Sequence, residues 1–261
     1  MAAGHARDPQ LRREAILGLA REKHALTVDE IAARFAVSRE TIRRDLCRLD
    51  EEGLLRRTHG GAAQPKAARE PAFRERLVAH AAEKRRIARA AAALFEPADT
   101  LIVDSGSTTE AFAEALAALA ARPTVITNSL RIASLLGAAA APGRVVLIGG
   151  ELRAETGQML GALALAQLAE FRADHAVIGV GAIDAAGRAM DYDAEEALFA
   201  RAAMHRSGTL TILADHSKFA RAALLRVAEP ARIARLVTDA PPPPALARAL
   251  AGAGVVVLVA P

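Results

Sequence analysis

Cysteine occurs once in the chain, at Cys47, so no disulfide can close within it and a reducing cytoplasm is the expected compartment. Lysine is nearly as scarce, with 4 residues against 30 arginines, and together with abundant alanine this bias reads as coding preference. It discounts arguments built on one arginine and makes a lysine in a plausible site more noticeable. No apolar run approaches the roughly 18 residues needed to cross a bilayer, so no membrane partner is expected. Charge from Arg7 onward argues against a secretory leader. The one proline run, Pro241 to Pro244, lacks the repeat of a recognition ligand and reads as a stiff turn. No internal repeat, metal-ligand spacing or cofactor fingerprint is read from the sequence.

What is present is a 261-residue chain with 52% hydrophobic residues, enough for two domains with a sizeable core. Its formal net charge of +4 is placed unevenly. Residues 1–76 hold 16 Lys+Arg against 12 Asp+Glu, whereas the remainder holds 18 of each, so the whole positive excess is N-terminal.

That basic region contains the most informative stretch, Thr27 to Ala62. Thr27 and Glu30 make a capping box, in which each side chain satisfies the other's free N–H, and a helix with Ile31 and Phe35 on its apolar face follows. Ala36-Val37-Ser38 breaks it, and Ser38 is placed to cap a second helix through the N–H of Glu40 or Thr41. At about 100° per residue, Ile42, Leu46 and Leu49 of that second helix face inward, while Glu40, Arg43, Arg44 and Cys47 face outward with Arg39 at the leading end. Two helices joined in this way predict a helix-turn-helix whose basic outer face enters a DNA major groove. Gly53 is expected to end the helix, Leu54 to Thr58 to form a strand, and His59-Gly60-Gly61 to turn it into a wing. A plain helical bundle with solvated arginines is the bland alternative, but capping box, short turn, basic face and glycine hairpin agree in order. Leu11, Ala15, Ile16 and Leu19 predict an amphipathic helix ahead of these, after a disordered arm over residues 1–10.

The run VSRETIRRDLCRLDEEGLLRRTHGGA resembles the N-terminal signature of the DeoR family of bacterial transcriptional regulators, with S-x-x-T-I-R-R-D-L at Ser38 to Leu46 and R-T-H-G-G-A at Arg57 to Ala62. Motif and helical face together assign DNA contacts to Ser38, Arg39, Glu40, Thr41, Arg43 and Arg44, and to Arg57 and His59 of the wing. Cys47 departs from the polar or basic residue that the family more often places there. It is expected to be an incidental neighbour of DNA rather than a redox switch, since no second cysteine is present to resolve an oxidised one.

Beyond a linker expected over residues 63–80, with Phe73 to Ala93 read as helical, the pattern changes. Short β-branched runs at Leu101-Val103, Val125-Thr127, Val145-Ile148, Ala176-Val180, Leu210-Ala214, Leu236-Thr238 and Val255-Val259 alternate with alanine- and leucine-rich stretches. Such alternation predicts a doubly wound, mostly parallel α/β domain over residues 81–261. Ligands in such sheets sit at the carboxyl ends of the strands. After the first of them, Asp104, Ser105, Gly106, Ser107, Thr108 and Thr109 combine hydroxyls, backbone N–H groups and a helix N-terminus, the makings of an anion site. Thr127, Asn128 and Ser129, then Gly149, Gly150 and Glu151, occupy equivalent positions. An acidic cluster of Asp191, Asp193, Glu195 and Glu196 follows, as does Asp215-His216-Ser217-Lys218, in which Lys218 can neutralise a phosphate.

EKRRIARAAAALFEPADTLIVDSGSTT, TNSLRIA, LIGGELR, VIGVGAID and ADHSKFAR resemble blocks of the same family's effector domain, whose fold is similar to sugar-phosphate isomerases and CoA transferases. The resemblance implies phosphate contacts at Ser105 to Thr109, further contacts at Thr127, Asn128, Gly149, Gly150 and Glu151, and roles for Glu195 and Lys218. Ala162, where proline is usual after Gly161, and Ala220, where glycine is usual after Phe219, are departures. The expectation is a homo-oligomeric repressor of sugar-metabolism genes, released from its operator DNA by a phosphorylated sugar. The alternative is an isomerase- or transferase-like enzyme with a DNA-binding appendage.

Overall fold

The change of hydrophobic period along the chain is realised, in a computed structural model, as a small helical unit followed by a parallel sheet covered on both faces. The structure describes residues 9–23, 25–51, 56–58, 60–63 and 70–261, which fall into two units, Met1–Arg69 and Glu70–Pro261.

In the first unit, helices α1 (Pro9–Lys23), α2 (Val28–Phe35) and α3 (Arg39–Glu51) enclose Ile16, Leu26, Ile31, Phe35, Ile42, Leu46 and Leu49. Burying a side chain of this size stabilises by roughly 1.5–3 kcal/mol. The predicted capping box starts α2: Thr27 Oγ1 accepts the Glu30 N–H at 3.2 Å and Glu30 Oε2 accepts the Thr27 N–H at 2.8 Å. Ala36 ends that helix in the left-handed region at φ 52° and turns the chain towards Ser38, whose hydroxyl accepts the Thr41 N–H at 3.1 Å. Strands β1 (Ala25–Thr27), β2 (Arg56–Thr58) and β3 (Gly61–Ala63) pair antiparallel in the order β1-β3-β2. Gly61 is required by this pairing, because a Cβ there would overlap the Leu26 carbonyl oxygen. Leu11, assigned to the apolar stripe of the first helix, is instead exposed. The proposed arm up to Asp8, Gly53 and His59 lie outside the described residues.

The second unit runs α4 (Phe73–Val78), α5 (Ala81–Ala92), β4 (Thr100–Val103), α6 (Ser107–Ala117), β5 (Thr124–Thr127), α7 (Leu130–Gly137), β6 (Val145–Leu147), a hairpin of β7 (Glu151–Arg153) and β8 (Gln158–Leu160), and α8 (Ala162–Ala169). It continues through β9 (Ala173–Gly179), β10 (Ala182–Ile183), β11 (Ala189–Asp191), α9 (Ala194–His205), β12 (Ser207–Leu213), β13 (Leu225–Ala228), β14 (Arg235–Thr238), α10 (Pro244–Gly252) and β15 (Val256–Val259). All seven predicted strands enter one parallel sheet in the order β15-β14-β12-β9-β4-β5-β6. Alternate residues face opposite layers: Leu101 and Val103 pack with Ile87, Phe112 and Ile132, while Ile102 between them packs with Leu168 and Phe199. The strand order reverses between β4 and β9, which is where a crevice opens at the carboxyl ends of a doubly wound sheet.

Two expectations change here. The helix read over Phe73 to Ala93 is two helices, broken at Ala79 and at His80, which adopts φ 53°. Lys84 supplies the reason, because its buried amine donates to the carbonyls of Arg76 and Ala79, oxygens that a continuous helix would use internally. The linker also ends earlier than residue 80, since Phe73 is already buried in the second unit.

Candidate DNA-binding face and anion site

Among the described residues, the buried contacts of helix α3 lie on its inner side. Besides Ile42, Leu46 and Leu49, that side buries Asp45, whose carboxylate accepts a hydrogen bond from Arg12 Nε of α1 at 2.6 Å. The outer side carries Arg39, Glu40, Arg43 and Arg44, all exposed, with Cys47 only partly so. Arg39 meets Asp29 at 2.6 Å, and Glu40 lies 3.8 Å from Arg43 and 3.5 Å from Arg44. Exposed pairs of this kind are worth about 0–1 kcal/mol, so the guanidinium groups can exchange carboxylate for phosphate at little cost. A groove of about 250 Å³ beside this face is lined by Asp29, Arg39, Arg43, Gly60 and Gly61. Ser38 and Thr41 are engaged with one another, their hydroxyls 2.9 Å apart, so their first role is to start the helix. Arg57 is described only as backbone of β2.

In the second unit, the carboxyl ends of β6, β5, β4, β9 and β12 lie side by side, and the loops singled out in the sequence follow them. They do different work. Ser105, Gly106 and Ser107 remain partly exposed at the start of α6. The first-turn N–H groups there have no intrahelical acceptor and point out of the helix end. Thr109 is fully buried and donates to the Gly106 carbonyl, so it shapes the loop from beneath. Thr127 and Ser129 are also scaffold: Thr127 Oγ1 accepts the Ser129 N–H at 3.1 Å, and the Ser129 hydroxyl caps α7. Asn128 is buried, donates to the Met159 carbonyl at 3.2 Å, and leaves its Oδ1 without a partner. The glycines after β6 answer to packing. Gly149 donates to Gln167 Oε1 at 2.7 Å, and a Cβ on Gly150 would strike the Leu160 carbonyl. Glu151 is exposed at the start of β7.

The acidic residues sort by burial. Glu195 points to the surface, where Arg153 holds it at 2.5 Å together with Asp193 at 3.0 Å. Its neighbour Glu196 turns inward, so the carboxylate placed in the crevice is Glu196 and not Glu195. There it joins Asp191 and Glu70, carboxylate oxygens of the three residues lying within 4.8 Å of one another. Asp104 faces the same corner and accepts the Gly179 N–H at 3.0 Å, tying β4 to β9 across the reversal point. Burial raises the Asp104 carboxyl well above its usual range, helped by Asp191 and Glu196. Asp191 is pushed up to about 7 by burial and by the charges of Glu196 and Glu70, and Glu196 is raised by burial and by Glu70. On the cationic side, Lys218 Nζ stands 3.8 Å from Glu70 and Arg76 Nη1 donates to it at 2.8 Å. Burial lowers the Lys84 amine despite the nearby carboxylate of Asp215.

A second set of three possible ligand atoms, on His80, Asp215 and His216, also lies within 4.8 Å. His216 Nδ1 is taken by Asp239 at 2.6 Å. The Glu70 set is matched by Arg76 and Lys218, which suits it to charge neutralisation by side chains.

These two sites coincide with two family models: a DeoR-like helix-turn-helix domain over residues 12–68 and a DeoR C terminal sensor domain over residues 79–240. The chain belongs to the DeoR family. It is 35% identical over 232 residues to the glycerol-3-phosphate regulon repressor of Escherichia coli (strain K12), covering 89% of this chain and 91% of that protein. It is 33% identical to the HTH-type transcriptional repressor GlcR of Bacillus subtilis (strain 168), covering 95% of each chain. Among solved structures, ribose 5-phosphate isomerase A of Methanocaldococcus jannaschii aligns with 54% of this chain and 55% of its own at a TM-score of 0.40 and 15% identity.

The departures from the DeoR pattern have local meanings. Ala220 sits at φ 53°, a conformation in which glycine is unstrained and alanine is not. Ala162 opens α8 directly after Gly161, the first-turn position at which proline costs no hydrogen bond. Sequence reasoning missed Glu70 and Arg76 by assigning both to a linker, and it missed Arg12 and Asp45. A carboxylate on the inward side of a helical wheel, between Ile42 and Leu46, was the available signal for the latter pair.

Proposed function

We propose that the protein represses a set of sugar-related genes by binding operator DNA as a homo-oligomer, and that a phosphorylated sugar or related metabolite releases it. The observation that carries the effector half is the open first turn of α6, with Ser105, Ser107 and Thr108 beside free N–H groups, two strand positions from the loop bearing Lys218. At ~4.8 Å per strand, phosphate on that turn lies about 10 Å from the β12 loop. Asn128 Oδ1, buried and unpaired, offers an acceptor for a sugar hydroxyl. The family and the names of its repressor relatives support the DNA-binding half.

Such a ligand weakens DNA binding only by favouring an arrangement of the chain different from the one the operator favours, and the coupling is reciprocal. A coupling of about 1–3 kcal/mol lowers operator affinity roughly 5- to 150-fold. The test is a gel shift on an operator recovered by selection from random duplexes, titrated with phosphorylated sugars and their neutral parents. Phosphorylated compounds are expected to release the DNA, and Ser107→Ala/Thr108→Ala or Lys218→Met to keep operator binding while losing the response. Release by neutral sugars at equal concentration, or a normal response from those variants, refutes the site.

The isomerase reading draws on Asp191, whose carboxyl near 7 would suit proton transfer. Aldose–ketose interconversion measured on the same sugar phosphates decides between them, and turnover would favour the enzyme.

A further inference from the structure

Glu70 is the first residue of the second unit, joined directly to the chain that leads back to the DNA-binding unit. Its side chain does not trail along the surface. It is buried to 14% exposure, and one oxygen, Oε1, faces both Arg76 Nη1 at 2.8 Å and Lys218 Nζ at 3.8 Å. The same carboxylate crowds Asp191 and Glu196, so it occupies a corner where like charges repel it and two cations hold it. Arg76 in turn is pinned over the Phe73 ring, which Arg131 also covers, and Arg131 is bonded to Glu110 in the first turn of α6. Arg76 Nε is buried with no partner, a donor left open in this corner.

We propose that Arg76 and Lys218 form the cationic half of the anion site and that Glu70 is its resident anion, displaced when a phosphorylated ligand binds. This deepens the phosphate-sensing reading above and rests on it. A phosphate carries more charge than a carboxylate and three acceptor oxygens, so it can engage Arg76, including the open Nε, together with Lys218 and keep an oxygen for a further donor, whereas Glu70 reaches only two cations. Once released, Glu70 also leaves the repulsion of Asp191 and Glu196. The segment that joins the two units is thereby untied from the sensor unit, a physical link between ligand and DNA that needs no rearrangement of the sheet.

The test uses the full chain and inorganic phosphate as probe, measured by titration calorimetry. If Glu70 fills the site in most unliganded molecules, Glu70→Gln should tighten phosphate binding about tenfold, because apparent affinity scales with the fraction of chains whose site is open. A gain of affinity cannot come from misfolding. Arg76→Met and Lys218→Met should each weaken phosphate binding about tenfold or more. Trypsin cleavage after Lys66 and Arg69 should quicken with phosphate in the wild-type chain and be quick without phosphate in Glu70→Gln. Unchanged phosphate affinity in Glu70→Gln overturns the displacement. If Ser107→Ala weakens phosphate binding while Glu70→Gln leaves it unchanged and Arg76→Met does not weaken it, phosphate sensing stands and this proposal falls. If neither phosphate nor any phosphorylated sugar binds the wild-type chain, both fall.

Discussion

Replacing Asp191 by asparagine removes one carboxylate from a buried corner and keeps an oxygen to accept the Tyr192 N–H that Asp191 now accepts at 2.7 Å. Burial, with Glu196 and Glu70 beside it, moves the Asp191 carboxyl from 3.8 to about 7. The folded chain therefore retains a proton that the unfolded chain has already lost, and stability falls as pH rises through that interval and levels off above it. At about 1.4 kcal/mol per pH unit the interval corresponds to an upper limit of about 4 kcal/mol. Glu196 shares the same repulsion, so the expected gain for Asp191→Asn near pH 8 is roughly 1–3 kcal/mol, shrinking towards zero near pH 4. Tyr192 is the sole tyrosine and tryptophan is absent, so tyrosine emission in urea titrations follows the sensor unit alone. A variant no more stable than wild type near pH 8, or one with the same advantage near pH 4, refutes the buried-carboxylate account.

Arg43→Ala and Arg44→Ala should each weaken operator binding by on the order of 1–3 kcal/mol in a gel shift, with melting unchanged because both side chains are exposed. Asp45→Ala removes the carboxylate that the buried Arg12 guanidinium meets at 2.6 Å and should destabilise the helical unit by about 1–3 kcal/mol, read from helical circular dichroism. Ala220→Gly relieves a left-handed alanine and should raise stability by up to about 1 kcal/mol, seen as a higher urea midpoint. Sedimentation at micromolar concentration should show at least a dimer, since two-fold operators reward paired half-sites; a monomer with and without DNA counts against this.

Elements with strong periodicity were legible before any coordinates. Seven β-branched runs became the seven-stranded sheet, and Thr27, Glu30 and Ser38 cap the helices as their side-chain chemistry requires. The short pieces were not, because β1, β7, β8, β10 and β11 span three residues or fewer and form where partner strands are already present. Loop composition pointed to a candidate site but not to the division of labour among its residues. Thr109, Thr127 and Ser129 look identical in sequence to ligand-facing hydroxyls, yet burial commits them to the backbone. Glu195 and Glu196 are adjacent on α9 and both lie within 4 Å of Arg153, yet the 100° turn of the helix leaves Glu195 at the surface and lets Glu196 also reach Asp191 and Glu70. Lys84 illustrates the same limit, since nothing local announces that its amine will reach a carbonyl eight residues upstream and break the helix between.

Among the described residues, the buried contacts of helix α3 come from its inner side, Arg12 included, while the ion pairs of Arg39, Arg43 and Arg44 on its outer row are with exposed side chains. Positions 39, 40, 43 and 44 can thus be rewritten without asking the fold for permission. In lineage terms, an address on DNA written at these positions would be free to drift while the second unit stays put, so one duplicated gene could acquire a new set of promoters through a few surface changes. The same separation makes these four positions the natural ones to randomise when a sensor of this architecture is to be aimed at a chosen operator.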